Sequence, residues 1–165
     1  MSAGNDQSLG PLAERLQGLC LGRGLTVATA ESCTGGMIAD VLTSIPGASR
    51  YVLGGVVAYA DQAKVALLGV PEAMIEAHGA VSAQVARAMA TAARDRFSST
   101  LAVAVTGVAG PGGGSDAKPV GLTYLALADP ERVEVRRLVW SGDRATNRLE
   151  STAAAIEWLI ERAGG

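Results

Sequence analysis

Thr26-Val27-Ala28-Thr29-Ala30-Glu31-Ser32-Cys33-Thr34-Gly35-Gly36 is the stretch whose reading decides the fold of this chain. It opens as an apolar, β-leaning run from Leu25 to Ala30 and breaks into small polar residues and two glycines. It resumes as Met37-Ile38-Ala39-Asp40-Val41-Leu42, with apolar residues at helical spacing. A strand, a tight turn and a helix from about Thr34 to Ile45 are predicted in that order. Ser32, Cys33 and Thr34 then stand where backbone N–H groups point outward and the helix dipole is positive. Such a place holds an anion or stabilises a tetrahedral oxyanion. Ser and Thr are equally common as plain N-caps and Gly in plain turns, so the rest of the chain has to decide between chemistry and punctuation.

Upstream, Leu9, Leu12, Leu16, Leu19 and Cys20 form one helical stripe that Gly22 and Gly24 end. Cys20 on that stripe reads as a core thiol. Downstream, Pro46-Gly47-Ala48-Ser49 closes the second helix. Tyr51 to Tyr59 reads as a strand in which Gly54-Gly55 marks a bulge or a close backbone approach. Asp61 is placed to cap a short helix to Leu68, Pro71 opens another to Ala77, and Ser82 caps a long one from Ala83 to Phe97. Leu101 to Thr106, continuous in Ala and Val, is the candidate central strand. A glycine-rich loop from Gly107 to Pro119 follows, of a length that compact domains keep for function or leave disordered. Val120 to Ala128 and Val133 to Trp140 form a hairpin ending in an alternating edge strand. Asp143 then caps a last helix, Arg144 to Arg162.

Interleaved helices and strands with a late hairpin predict an α/β fold, a three-layer α/β/α sandwich with a mixed, mostly parallel sheet. Ligands in such sheets bind beyond the carboxyl ends of parallel strands. The Ser32 turn, the exit at Tyr59 and the Gly107 loop all leave such ends. Length and composition bound the rest. The 165 residues make a single domain, 9–165, behind a small polar stretch, 1–8, expected to be flexible. The net charge is −2, and no basic run interleaved with aromatics argues for nucleic acid. No apolar run approaches the roughly 20 residues that span a bilayer. The first ten residues lack the basic and apolar regions of a signal peptide. Cys20 and Cys33 fit neither a disulfide framework nor a metal knuckle. A cytoplasmic protein is expected, without metal or cofactor. The exposed hairpin edge suggests pairing into a homo-oligomer.

A nucleophile needs a group to take its proton. The single histidine, His78, lies in a helix-to-loop connection and reads as a surface residue. Of the two lysines, Lys64 follows the Tyr59 strand end by five residues, in the first turn of a helix. A lysine partly buried there has its charged form disfavoured, which suits a general base. Tyr59 is placed to orient the pair or relay a proton. Cys33 is a rival nucleophile, because a thiol at a helix N-terminus is acidified. Residue types alone do not choose between Ser32 and Cys33. The loop at Thr106 and Gly107 lacks the Gly-Lys-Ser/Thr ending of a Walker loop, yet its N–H groups suit a phosphate or a carbonyl oxygen. Arg144 and Arg148, four apart on one face of the last helix, suit a phosphate clamp or a solvated helix face.

Five segments together resemble the CinA carboxy-terminal domain family, whose members include a stand-alone nicotinamide-nucleotide amidase. They are Ala30-Glu31-Ser32-Cys33-Thr34-Gly35-Gly36, Tyr59-Ala60-Asp61-Gln62-Ala63-Lys64, Gly79-Ala80-Val81-Ser82, Thr106-Gly107-Val108-Ala109-Gly110-Pro111-Gly112-Gly113 with Gly121, and Gly142-Asp143-Arg144 with Arg148. The resemblance runs from about Leu9 to Ala163. It implies hydrolysis of the carboxamide of nicotinamide mononucleotide to nicotinic acid mononucleotide and ammonia, a step of pyridine-nucleotide salvage. It makes Ser32 the nucleophile, Lys64 the base and Tyr59 an assisting residue. Cys33, Thr34 and Gly35 would supply oxyanion N–H groups. Thr34, Gly35, Thr106, Gly107, Gly110, Arg144 and Arg148 would bind substrate. Asp61 stands where many members carry Asn and adds a carboxylate beside Lys64. The other reading of the same pocket is a non-catalytic nucleotide- or protein-binding module of a competence or DNA-damage response.

Overall fold

A computed structural model describes residues 9–164; the stretch 1–8 lies outside the described residues. The elements in chain order are α1 (Leu9–Arg23), β1 (Val27–Glu31), α2 (Met37–Thr43), a 3-10 turn (Ala48–Arg50) and β2 (Val52–Val57). Then come α3 (Asp61–Leu68), α4 (Glu72–His78), α5 (Ala83–Phe97), β3 (Leu101–Gly107), β4 (Leu122–Ala128), β5 (Val133–Val139) and α6 (Arg144–Gly164).

The five strands form one sheet in the order β2-β1-β3-β4-β5. β1 pairs parallel with β2 and β3, and β4 pairs antiparallel with β3 and β5. Four of the five strands therefore point the same way. The central strands are apolar on both faces, but side-chain size alternates. Val27, Leu101, Val103, Val105, Leu125 and Leu127 meet α1, α2 and α6 in one core. Ala28, Ala30, Ala102, Ala104, Ala126 and Ala128 meet α5 and the ends of α3 and α4 in the other. The small face lets the Ala-rich helix α5 lie close, where Val85, Ala86, Met89, Ala90 and Ala93 are fully buried. Helices on both faces of a mixed sheet make this the three-layer α/β/α sandwich expected from the sequence.

Several boundaries differ from the sequence reading for identifiable reasons. The second helix starts at Met37 rather than Thr34 because Gly35 and Gly36 both hold left-handed φ values, +63° and +100°. β4 starts at Leu122 rather than Val120 because Gly121 is left-handed too, at a place where a Cβ would fall 1.9 Å from the Trp140 carbonyl oxygen. Asp61 does not cap α3: Ala60 holds the N-cap position, and Asp61 is the first helical residue. Gly54 and Gly55 are indeed a close approach. A Cβ on Gly54 would fall 2.4 Å from the Phe97 ring, and β2 slips register against β1 just before it. Among the described residues no helix is long and apolar enough to cross a membrane.

Candidate active site

β1, β2 and β3 run parallel, so their carboxyl ends, Glu31, Val57 and Gly107, open on one edge of the sheet. A cavity of about 210 Å³ lies there, lined by Ser32, Cys33, Tyr59, Asp61, Lys64, Ala80, Val81, Thr106, Gly107, Ala109 and Arg144. Residues from five separate chain segments thus meet at one place.

Ser32 is the first residue beyond β1. Its N–H donates to the Val105 carbonyl at 3.0 Å, which prolongs the β1–β3 ladder by one residue and fixes where the side chain leaves the sheet. Its carbonyl accepts from Gly35 N–H at 3.0 Å, closing a tight turn. That bond corrects one expectation: the Gly35 N–H is committed inside the turn and is not free for an oxyanion. The N–H groups of Cys33 and Thr34 have no backbone acceptor among the described residues.

The residue that sequence reasoning left without a role is Glu31. Its side chain is fully buried, and its two oxygens accept four bonds. Oε2 takes the Thr34 hydroxyl at 2.6 Å and the N–H groups of Gly36 and Ile38 at 3.0 Å each, and Oε1 takes the Ala39 N–H at 2.8 Å. The N–H groups opening α2, expected to attract an outside anion, are therefore satisfied from within. A charged residue ending an apolar strand a few positions before a helix was the available signal.

Lys64 lies on α3 with 1% of its surface exposed. Its Nζ donates to the Tyr59 carbonyl at 3.3 Å and to Asp61 Oδ1 at 3.4 Å. Asp61 is largely solvent-facing, so the pair reaches from the cavity wall to its mouth. Tyr59 is exposed on the rim, and its hydroxyl accepts from Arg144 Nη2 at 2.6 Å. Arg144 Nη1 donates to the Gly110 carbonyl at 2.9 Å, tying α6 to the glycine-rich loop. That loop is further pinned by Asn147 Nδ2 on the Ala109 carbonyl. Thr106 is buried and donates its hydroxyl to the Ala80 carbonyl at 2.9 Å. Gly107 admits no side chain, since a Cβ would meet the Leu122 carbonyl at 2.7 Å, Thr123 Oγ1 at 2.9 Å and Cys33 Sγ at 3.1 Å.

The two candidate nucleophiles are no longer equivalent. Burial pushes the Cys33 thiol up to about 11, and Glu31 adds to that. The thiol's own backbone N–H, Arg148 and Lys64 pull the other way and do not offset it. The acidified thiol expected at a helix N-terminus is thus replaced by a protonated one at neutral pH. The arginines separate as well. Arg144 lines both the Ser32 cavity and a neighbouring hollow of about 600 Å³ formed with Pro111, Val120, Gly142, Asp143, Ala145 and Arg148. Arg148 lines only the hollow, and its Nη2 donates to the Thr34 carbonyl at 2.7 Å. Thr34, Gly35 and Gly110 are wall and turn residues and do not line the Ser32 cavity. His78 is exposed at the end of α4, its carbonyl bonded by Lys118. Among the described residues, no three His, Cys, Asp or Glu side chains converge as a metal-ligand set.

Comparison with known proteins gives a consistent result. Residues 9–163 match the family model of the CinA C-terminal domain. A CinA-like protein of Geobacter sulfurreducens is 53% identical over 140 residues, 85% of this chain and 34% of that protein. A putative competence-damage inducible protein of Moorella thermoacetica is 49% identical over 83% of this chain and 33% of its own length. This chain thus spans about a third of the length of these curated relatives. The crystal structure of the competence/damage inducible protein CihA from Agrobacterium tumefaciens superposes with a TM-score of 0.90 at 44% identity, covering 93% of this chain and 94% of that one. A CinA-superfamily protein from Escherichia coli superposes with a TM-score of 0.90 at 31% identity, covering 98% and 94%.

Proposed function

The chain belongs to the CinA C-terminal domain family, and we propose that its cavity hydrolyses the carboxamide of nicotinamide mononucleotide by a serine–lysine mechanism. The observation that carries this reading is the meeting of Ser32, Lys64, Tyr59, Thr106 and Arg144 around one cavity at the carboxyl ends of β1, β2 and β3.

The reaction begins at Lys64, whose side chain is buried in the cavity wall. Lys64 takes the Ser32 proton, directly or through the Tyr59 hydroxyl, which Arg144 holds. Ser32 Oγ forms a bond to the amide carbon, and the carbonyl π pair moves to oxygen. The N–H groups of Cys33 and Thr34 stabilise that oxyanion. The pair then returns, the carbon–nitrogen bond breaks, and Lys64 delivers its proton so that ammonia leaves. A water, deprotonated in turn by Lys64, attacks the resulting ester; nicotinic acid mononucleotide departs and Ser32 recovers its proton. Arg144, at the join of the two hollows, meets the nucleotide's phosphate as the carboxamide enters the smaller one. The catalytic hydrogen bond between Ser32 and Lys64 forms in the substrate complex, as is common for bases whose free-state geometry is loose.

The test is to quench the enzyme during turnover of nicotinamide mononucleotide, digest it and look for a nicotinoyl ester. The expected adduct is on Ser32. An adduct on Cys33, or turnover with no adduct on either residue under conditions that accumulate it, overturns the assignment. A non-catalytic nucleotide-binding module is the second reading of the same cavity. Saturable nucleotide binding with no ammonia released favours that reading instead.

A further inference from the structure

We infer that Glu31 and Arg148 form a two-sided brace that fixes the direction of the Cys33–Thr34 backbone N–H groups, making Arg148 a positioning residue rather than a substrate ligand. Thr34 is fully buried and is gripped at both polar ends. Its hydroxyl donates to Glu31 Oε2 at 2.6 Å, from the strand side. Its carbonyl accepts from Arg148 Nη2 at 2.7 Å, from α6. The Arg148 guanidinium lies over Gly35, 3.5 Å from where a Cβ would stand, and the left-handed φ of +63° there favours glycine.

The consequence is geometric. A peptide plane is rigid, so the Arg148 bond to the Thr34 carbonyl sets the Gly35 N–H on the same plane. That N–H donates to the Ser32 carbonyl at 3.0 Å, which shares its plane with the Cys33 N–H, while the Glu31 bond to the Thr34 hydroxyl holds Thr34 itself in place. Glu31 also anchors the far side of the turn through Gly36, Ile38 and Ala39. The turn Ser32–Gly36 is thus held at its start by Val105, at its middle by Arg148 and at its end by Glu31. Misplacement by about 1 Å of groups that stabilise a transition state costs on the order of a hundredfold in rate, which is the job of such a brace. An arginine that instead clamped the substrate phosphate would act on binding, in ground and transition state alike.

Both arms of the test use Arg148→Met and Arg148→Lys in the full chain. The first arm does not depend on the amidase reading: the amide resonances of Cys33 to Gly36 are recorded with hydrogen exchange at Gly36, Ile38 and Ala39. Arg148→Met is expected to shift the Cys33 and Thr34 amides and to raise exchange at Gly36, with Arg148→Lys largely restoring both. The second arm, which rests on the amidase reading, measures turnover of nicotinamide mononucleotide. The expected result is kcat down at least tenfold with KM within about threefold, since the lost term acts on the transition state. Unmoved turn amides in Arg148→Met overturn the brace whatever the activity. A raised KM with kcat retained overturns it as well and makes Arg148 a substrate ligand. Wild-type enzyme without turnover overturns the amidase reading alone and leaves the first arm to decide.

Discussion

Replacing Glu31 with glutamine separates what its four hydrogen bonds contribute from what its shape contributes. The glutamine amide keeps one acceptor oxygen and brings two N–H donors. Its best placement leaves the oxygen where Oε2 is, still accepting from Thr34, Gly36 and Ile38. The amide nitrogen then faces the Ala39 N–H, which Oε1 now accepts at 2.8 Å. One bond is lost, and a buried donor is set against a donor. An unsatisfied buried group costs about 1–3 kcal/mol. A loss near 2 kcal/mol, at about 2–4 °C per kcal/mol for a chain of this size, lowers Tm by roughly 4–8 °C. Domains are stable by about 5–15 kcal/mol, so Glu31→Gln still folds. Glu31→Ala strips all four partners and leaves a cavity, so it falls near or past that limit. Urea titration followed by circular dichroism measures the difference, with an unchanged m-value showing that the folded state is the same. A Glu31→Gln midpoint equal to the wild type within error would mean that water or a rearranged turn satisfies these donors, and the account of how the Ser32 turn is held would be wrong.

Other substitutions have equally definite outcomes. Lys64→Met should abolish amide turnover while nucleotide binding by calorimetry stays within several-fold; a pH–rate profile unchanged near neutrality in that variant would remove Lys64 as the base. Arg144→Ala frees both Tyr59 and the Gly110 carbonyl, and should raise KM more for the nucleotide than for free nicotinamide; equal effects would argue against a phosphate contact. Gly107→Ala drives a methyl group to within 3.1 Å of Cys33 Sγ and closer to two oxygens, so it should cost about 1–3 kcal/mol by overpacking and reduce kcat, read by urea titration and a turnover assay. The native Cys33 thiol, held near 11 by burial, should resist iodoacetamide at pH 7.5 and react once the chain unfolds, as mass spectrometry reads directly. Because the folded state keeps this proton above pH 9.0, where the unfolded thiol releases it, stability should fall as pH rises through the 9–11 window, with Cys20 adding to the same decline.

Much of the fold is legible in the residues because it rests on short-range patterning. The stripe of α1, the Ser82 cap of α5, whose Oγ accepts from the Val85 N–H, and the hairpin β4–β5 are each written in a few neighbouring residues. The apolar run Leu101 to Thr106 marks a central strand. Its finer meaning, large residues to one core and alanines to the other, becomes visible only when Ala28, Ala30 and the alanines of β4 are seen beside it. The convergence of Ser32, Lys64 and Thr106 follows from parallel strands ending together, which interleaved helices and strands already imply.

What was not legible depends on contacts distant in sequence or on backbone conformations that several residues share. Gly35-Gly36 could be a helix start or a left-handed turn, and the conformation taken decided whether Gly35 had a free N–H. Glu31 is one of the chain's 16 acidic residues; its place at the end of an apolar strand sets it apart, but which partners its side chain takes depends on how the glycine turn and the following helix are folded. The division of labour between Arg144 and Arg148 is set by where α6 crosses the loop after β3 and the turn after β1. Four residues of spacing place both on one helix face, yet one reaches Tyr59 and the other the Thr34 carbonyl.

The most direct test of the central claim is ammonia release from nicotinamide mononucleotide by the purified chain, with no added metal, beside Ser32→Ala. Ammonia and an equal amount of nicotinic acid mononucleotide are expected from the wild type, and none above background from a Ser32→Ala variant that still binds the nucleotide. Undiminished turnover in Ser32→Ala, or a wild type that binds the nucleotide and releases nothing, contradicts that claim.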